Sequence, residues 1–344
     1  MQIQGPYLLF LGDTPRPLDA KTASGILDWR PELCGGQYRL SKDAVDLGLR
    51  DYTPAEAAAA GIRTMVIGVA PFGGAIEPEW VEAILAAVRA GLDVASGMHT
   101  RLGDIAAIRD AARESGAQLF DVRHGNGTFD VASGRKRTGR RVLTVGVDCA
   151  VGKKYAALAI HRALVKRGIA ADFRATGQTG ILIAGGGIAI DATVCDFTAG
   201  AAEALSPGNA PEHWDVIEGQ GSLFHPAYAG VSLALLHGSQ PDALVVCHDP
   251  RRTHIDGYPD YPLPTLAACI ALNEQVARLT NAHARAVAIA INTHRMSDAE
   301  RARALAAVRS ETGLVAFDPI ATGADAVVDA LIPQREAVLS EATP

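Results

Sequence analysis

The sequence predicts an α/β protein of two doubly wound domains with mainly parallel sheets, one at 1–135 and the other at 136–344. Three observations carry this expectation. Short apolar runs ending in glycine alternate with amphipathic segments, which is the rhythm of βαβ units. The rhythm stops in HGNGTFDVASGRKRTGRR (124–141), rich in glycine and basic residues, and then restarts, so this stretch reads as a linker. A length of 344 residues also favours two domains over one.

The elements follow in order. YLLFLGD (7–13) and RTMVIGVA (63–70) are apolar runs closed by turn residues, as buried parallel strands are. PEWVEAILAAVRAG (78–91) opens on Pro78, keeps helical apolar spacing and closes on Gly91. LDVASG (92–97) reads as a strand, GDIAAIRDAARESG (103–116) as a helix and QLFDVR (118–123) as a strand. Beyond the linker come the strand RVLTVGVD, the helix VGKKYAALAIHRALVKRG and the strand IAADFRATG, which ends on Gly177. WDVIEGQG (214–221), DALVVCHD (242–249) and AVAIAIN (286–292) are further strands. MSDAERARALAAVRSETG (296–313) is a helix whose Ser297 and Glu300 form a capping box.

Composition narrows the function. Hydrophobic residues at 48% and charged residues at 20% give a full-sized core and rule out a disordered chain. A net charge of −6 speaks against a nucleic-acid partner. The five cysteines are scattered without CxxC or metal-like spacing, as in reduced cytosolic proteins. The apolar patch near the N-terminus is too short and too acidic for a signal sequence, and no run is long enough to span a membrane. The expectation is a soluble cytoplasmic protein.

GVDCAVGKK (146–154) lies between a strand and a helix and has the frame of a phosphate-binding loop. Five residues separate Gly146 from Gly152, one more than usual, which resembles the stretched P-loop of dethiobiotin synthetase-like NTPases. Gly146, Asp148, Cys149, Ala150, Val151, Gly152, Lys153 and Lys154 are therefore the candidate cofactor-binding residues. A P-loop normally follows its lysine with Ser or Thr, whose hydroxyl holds magnesium. Here Lys154 stands in that place, either as a second ammonium for a phosphate or as a solvated helix residue. Without the hydroxyl, ATP hydrolysis is disfavoured, and no metal is expected. Coenzyme A fits, because its phosphates need a cradle but no chemistry at phosphorus. On that expectation the loop is a handle, and the chemistry lies elsewhere. Cys149 has no evident base among its sequence neighbours and reads as packing.

Glu218 ends an apolar strand in VIEGQGSL, at the edge where open α/β sheets bind ligands, or else simply caps that strand. His225, just beyond it, is a candidate base or orienting residue, with Glu218 as competitor. The loop HDPRRTHIDGYPDYP (248–262) is the densest polar segment. It reads as carboxylate recognition through Arg251, Arg252 and His254, or as a solvated or dimer-contact loop. RATGQTGILIAGGGIAID (174–191) offers Arg174, Thr176 and Gln178 for substrate, and its GGG is either a tight turn or a ligand contact. GGA at 73–75 is a weak anion-site candidate, and His99 and Arg101 stand in SGMHTRLGD.

Taken together, GVDCAVGKK, RATGQTG, VIEGQGSLFHPAY, HDPRRTHIDGYP and INTH resemble a bacterial family long described only as a domain of unknown function, which includes the D-glutamate N-acetyltransferases of the DgcN type. The resemblance extends over essentially the whole chain. It implies a Rossmann-like domain at 1–135, a P-loop NTPase-like domain at 136–344, and acetyl transfer from acetyl-CoA to the amine of D-glutamate. It further implies the opening step of a catabolic route, with an epimerase-like enzyme of the enolase superfamily acting nearby. A homodimer is the commonest state for such enzymes. Two other classes compete: an ATP-dependent kinase or ligase of the dethiobiotin synthetase type, and a nucleotide-binding regulator without turnover.

Overall fold

The computed structural model describes residues 3–17, 19–70, 74–124 and 127–332. The chain forms two compact units, one of 1–128 with 175–193, the other of 129–174 with 194–344.

The first unit runs β1 (Tyr7–Gly12), α1 (Lys21–Trp29), β2 (Cys34–Arg39), α2 (Pro54–Ala59), β3 (Thr64–Ile67), α3 (Pro78–Arg89), β4 (Asp93–Ser96), α4 (Ala106–Ser115) and β5 (Leu119–Asp121). Its five strands lie in the order β2-β1-β3-β4-β5, and every pairing is parallel. Both β1 and β3 are buried along their whole length, which explains their unbroken apolar sequences. The apolar scan passes over β2, CGGQYR, because two glycines and a glutamine carry no strand signal. It survives as an edge strand paired to β1, and its buried Gln37 donates to Asp46 and Asp51.

The second unit begins with β6 (Arg140–Gly146), α5 (Lys153–Lys166) and β7 (Ala171–Arg174). After α6 (Gln178–Ala184), which belongs to the first unit, come α7 (Cys195–Leu205), β8 (Trp214–Ile217), α8 (Ala229–Ser239) and β9 (Ala243–His248). A hairpin of β10 (His254–Ile255) and β11 (Tyr258–Pro262) precedes α9 (Leu266–Ala277), β12 (Arg285–Ile291), α10 (Asp298–Thr312), β13 (Val315–Phe317) and α11 (Asp325–Leu331). The sheet order is β13-β12-β9-β6-β8-β7, again all parallel. The Ser297–Glu300 capping box is present at the start of α10.

The stretch that reads as a linker supplies interior to this unit. Arg140 already opens β6, and Arg141 is fully buried. Its guanidinium donates to Ser206 Oγ at 2.8 Å, Pro207 O at 2.9 Å and Thr138 O at 3.1 Å.

Strand order brings three loops to one edge of the sheet. The chain leaves β6, builds β7 and β8 on one side, then crosses to β9 on the other. The segments following β6, β8 and β9 therefore emerge side by side at the carboxyl edge, where such sheets bind ligands. Those segments are GVDCAVGKK, EGQGSLFH and DPRRTHIDGYP.

Candidate active site

The loop after β6 has a backbone shape its sequence only partly advertises. Ala150 is left-handed at φ +52° and Gly152 at φ +104°, while Val151 between them is not. Left-handed residues alternating with others turn successive N–H groups toward one anion-binding concavity. For Gly152 the conformation is free. For Ala150 it costs about 1–3 kcal/mol, which neighbouring contacts must offset. Helix α5 starts at Lys153, so the positive end of its dipole adds to the same place.

Lys153 is buried, and its Nζ donates to Asp148 O at 2.7 Å. Burial pushes its ammonium below the ordinary lysine range. Its stem runs beside Gly219, where an added Cβ would lie 3.1 Å from Lys153 Cδ and 1.6 Å from Thr144 O. Only glycine fits there, so the turn after Glu218 lies tight against β6. Glu218 itself is 4% exposed. Lys154, the residue in the Ser/Thr place, has its Nζ 5.1 Å from the ring centre of Tyr155.

Asp148 is fully buried and organises the loop. Its carboxylate accepts from Cys149 N at 2.7 Å, Arg252 Nη1 at 2.8 Å and Asp256 N at 2.9 Å. The Arg252 guanidinium also donates to Cys149 O at 2.9 Å and Ala150 O at 3.4 Å. Arg251 instead forks onto Asp249, with Nε–Oδ1 2.9 Å and Nη2–Oδ2 2.7 Å, and reaches His294 O at 2.7 Å. Neither guanidinium is left as an open fork for a substrate carboxylate. His254 is exposed, with its Nδ1 2.8 Å from Thr253 Oγ1. Residues 251–259 line a shallow cavity of about 450 Å³.

His225 comes to the loop. It is 2% exposed, and one side-chain donor atom each from Asp148, Cys149 and His225 lie within 4.8 Å of one another. Tyr228 and Tyr258 flank the imidazole, with ring centres 4.6 and 5.1 Å away. The Nδ1 accepts from Ala227 N at 3.1 Å, so a neutral ring here carries its proton on Nε2. Cys149 therefore does have an imidazole and a carboxylate near it, which its sequence neighbours do not reveal. Burial pushes its thiol up, however, and the neighbouring Nδ1 lone pair is already engaged. The thiol stays protonated and lines the loop. The same O, S and N donors would suit a soft metal, but the Arg252 guanidinium on Asp148 opposes a cation there.

The Arg174 side chain pairs with Asp215 and Asp172, both at 2.8 Å, in a network that continues from Asp215 to Ser206. Thr176 and Gln178 fall in the segment that belongs to the first unit. With its amide oriented to satisfy both groups, Gln178 donates to Gly97 O at 2.8 Å and accepts from Arg123 Nη2 at 3.2 Å. Arg123 also pairs with Asp191. His99 packs against Gly74, whereas Gly73 of the GGA candidate lies outside the described residues.

Residues 130–328 match the P-loop domain, and residues 32–125 the Rossmann-like domain, of the family of unknown function DUF1611. The chain belongs to this family. A D-glutamate N-acetyltransferase of Tritonibacter scottomollicae is 48% identical over 96% of this chain and 99% of its own length. Another, from a Pseudoalteromonas species, is 44% identical over 95% and 99%. The crystal structure of a DUF1611 protein from Anabaena variabilis superposes with a TM-score of 0.86 at 33% identity, covering 95% of this chain and 99% of that one. The Rossmann-like and P-loop assignments thus stand. What the sequence missed is the Asp148–Arg252 pair, whose partners are 104 positions apart. The available signal was an aspartate in an apolar-flanked loop, since a buried carboxylate demands a cation or several N–H donors.

Proposed function

We propose that the chain is a D-glutamate N-acetyltransferase that takes its acetyl group from acetyl-CoA. The full-length relation to two D-glutamate N-acetyltransferases is the observation that carries the activity. The loop at 146–154 supports the choice of donor. It has the left-handed turns, buried lysine and helix start of an anion cradle, yet places Lys154 where a nucleotide hydrolase keeps its magnesium hydroxyl.

In this reading the loop and Lys153 hold the phosphates of the donor, and Glu218 and His225 serve the acyl transfer. Glu218 takes the proton from the substrate ammonium, and the freed amine attacks the thioester carbonyl. His225 donates from Nε2 to the oxygen that becomes negative, the role its engaged Nδ1 leaves open. The tetrahedral adduct collapses, its nitrogen gives up its second proton, the CoA thiolate leaves and takes up that proton, and the neutral amide remains. The enzyme would work as a cytoplasmic homodimer and open a catabolic route for D-amino acids.

The test is release of free CoA thiol from acetyl-CoA with D-glutamate, L-glutamate and other D-amino acids in parallel. Thiol release with D-glutamate supports the reading. Consumption of ATP with no thiol released from any amino acid would replace it with the kinase or ligase alternative.

A further inference from the structure

The hairpin segment after β9 does not merely stand beside the phosphate loop; it holds it. The Arg252 guanidinium binds three parts of the loop at once: the Asp148 carboxylate, Cys149 O and Ala150 O. Asp256 N, from the turn of the same hairpin, closes on the same carboxylate oxygen. These contacts bracket Ala150, the one non-glycine residue of the loop described with a positive φ. A strained backbone of that kind persists only where its surroundings over-determine it. The bonds from Arg252 to the carbonyls of residues 149 and 150 fix the two peptide planes that the left-handed turn reorients. A peptide whose carbonyl is held on one side presents its N–H on the other, which is the arrangement an anion concavity requires.

We infer that Arg252 is a positioning residue for the acyl donor: together with Asp148 it latches the 249–262 hairpin onto the 146–152 loop and keeps that loop in its anion-binding shape. This departs from the carboxylate-recognition role that the sequence alone assigns to Arg252. The guanidinium already has a carboxylate partner, and that partner is fully buried. Breaking the pair to reach a substrate would leave Asp148 charged and uncompensated, which is strongly unfavourable. The inference rests on the loop being the donor site.

The latch and the carboxylate role predict opposite splits in kinetics. Arg252→Ala is expected to raise the KM and the calorimetric Kd for acetyl-CoA by about tenfold or more, in keeping with loss of one partner of a buried pair. The KM for D-glutamate should move less than about twofold. Arg252→Lys should recover only part of the loss, because an ammonium cannot span the carboxylate and two carbonyls at once. Free guanidinium ion added to Arg252→Ala at low millimolar concentration should restore donor affinity. A raised KM for D-glutamate with unchanged donor affinity would overturn the latch and return Arg252 to substrate recognition. Unchanged values for both would overturn it as well. Lys153→Ala, measured alongside, separates the two levels. If neither variant alters acetyl-CoA binding, the loop is not the donor site. If only Lys153→Ala does, the donor site stands and the latch is wrong.

Discussion

The two ends of strand β6 each carry a guanidinium network, and they do different work. At the amino end, Arg141 is fully buried and donates to Ser206 Oγ and to the carbonyls of Thr138 and Pro207. At the carboxyl end, Arg252 keeps a quarter of its side chain exposed, 24%, and binds a loop that bends against its own backbone preference. The amino-end network satisfies polar groups that folding would otherwise strand. The carboxyl-end network holds an unfavourable shape beside Cys149 and His225. The difference teaches that an arginine holding a strained loop and one that satisfies buried carbonyls are told apart by their partners, not by how deeply each is buried.

The largest expected effect belongs to the amino end. Arg141→Met should reduce unfolding free energy by about 3–5 kcal/mol, since Ser206 Oγ and the carbonyls of Thr138 and Pro207 all lose their buried donor. Acetyl transfer per folded molecule, measured well below the melting transition, should stay within about twofold of the parent. A drop in turnover without a drop in denaturation midpoint would erase the contrast between the two ends.

Next comes His225→Ala, which in the proposed mechanism removes a donor aimed at developing charge. Turnover should fall about 10²- to 10³-fold, the usual size for an oxyanion donor, with little change in either KM. A fall in turnover of less than about tenfold would remove His225 from the donor role. Glu218→Gln is the companion measurement and should lose most of the turnover.

Lys153→Ala sharpens what the loop holds. Acetyl-CoA should lose affinity by about tenfold, the scale of one charge-assisted hydrogen bond, while acetyl-pantetheine, which lacks the phosphates, should be affected far less. An equal loss with both donors would move the loop from the phosphates to the thioester.

Much of this was legible in the sequence, for physical reasons that vary by residue. Buried parallel strands write themselves as apolar runs, so β1, β3, β6, β9 and β12 could be read directly. Helix α8, AGVSLALLHGS, could not, because its apolar residues run all round rather than along one stripe. The loop frame was legible as local spacing, and so was Glu218 at a strand end. The partners of Arg251 and Arg252 were not. Adjacent arginines in one polar loop look alike until the sheet order brings β6 beside β9 and one of them meets Asp148. The approach of His225 to Cys149 likewise depends on β8 lying next to β6.

The smallest expected effect tests whether a place at the carboxyl edge is enough to make an arginine functional. Arg251 shares the hairpin segment with Arg252 but binds Asp249, two residues away, and its side chain is 40% exposed. Burial pushes the Asp249 carboxyl up, yet the hydrogen bonds and charge of Arg251 outweigh this and hold it below its ordinary value. A carboxyl lowered by folding adds stability that is full above its unfolded value of about 3.9 and disappears as pH falls through the lower folded one. Arg251→Ala should therefore cost about 1 kcal/mol or less at pH 7, as expected for a partly exposed pair. The difference from the parent should shrink in denaturation curves taken below about pH 4. Donor and amino-acid KM values should both hold. If Arg251→Ala instead weakens acetyl-CoA as much as Arg252→Ala does, the strain at Ala150 is not what distinguishes the two arginines, and the whole segment acts as one support for the loop.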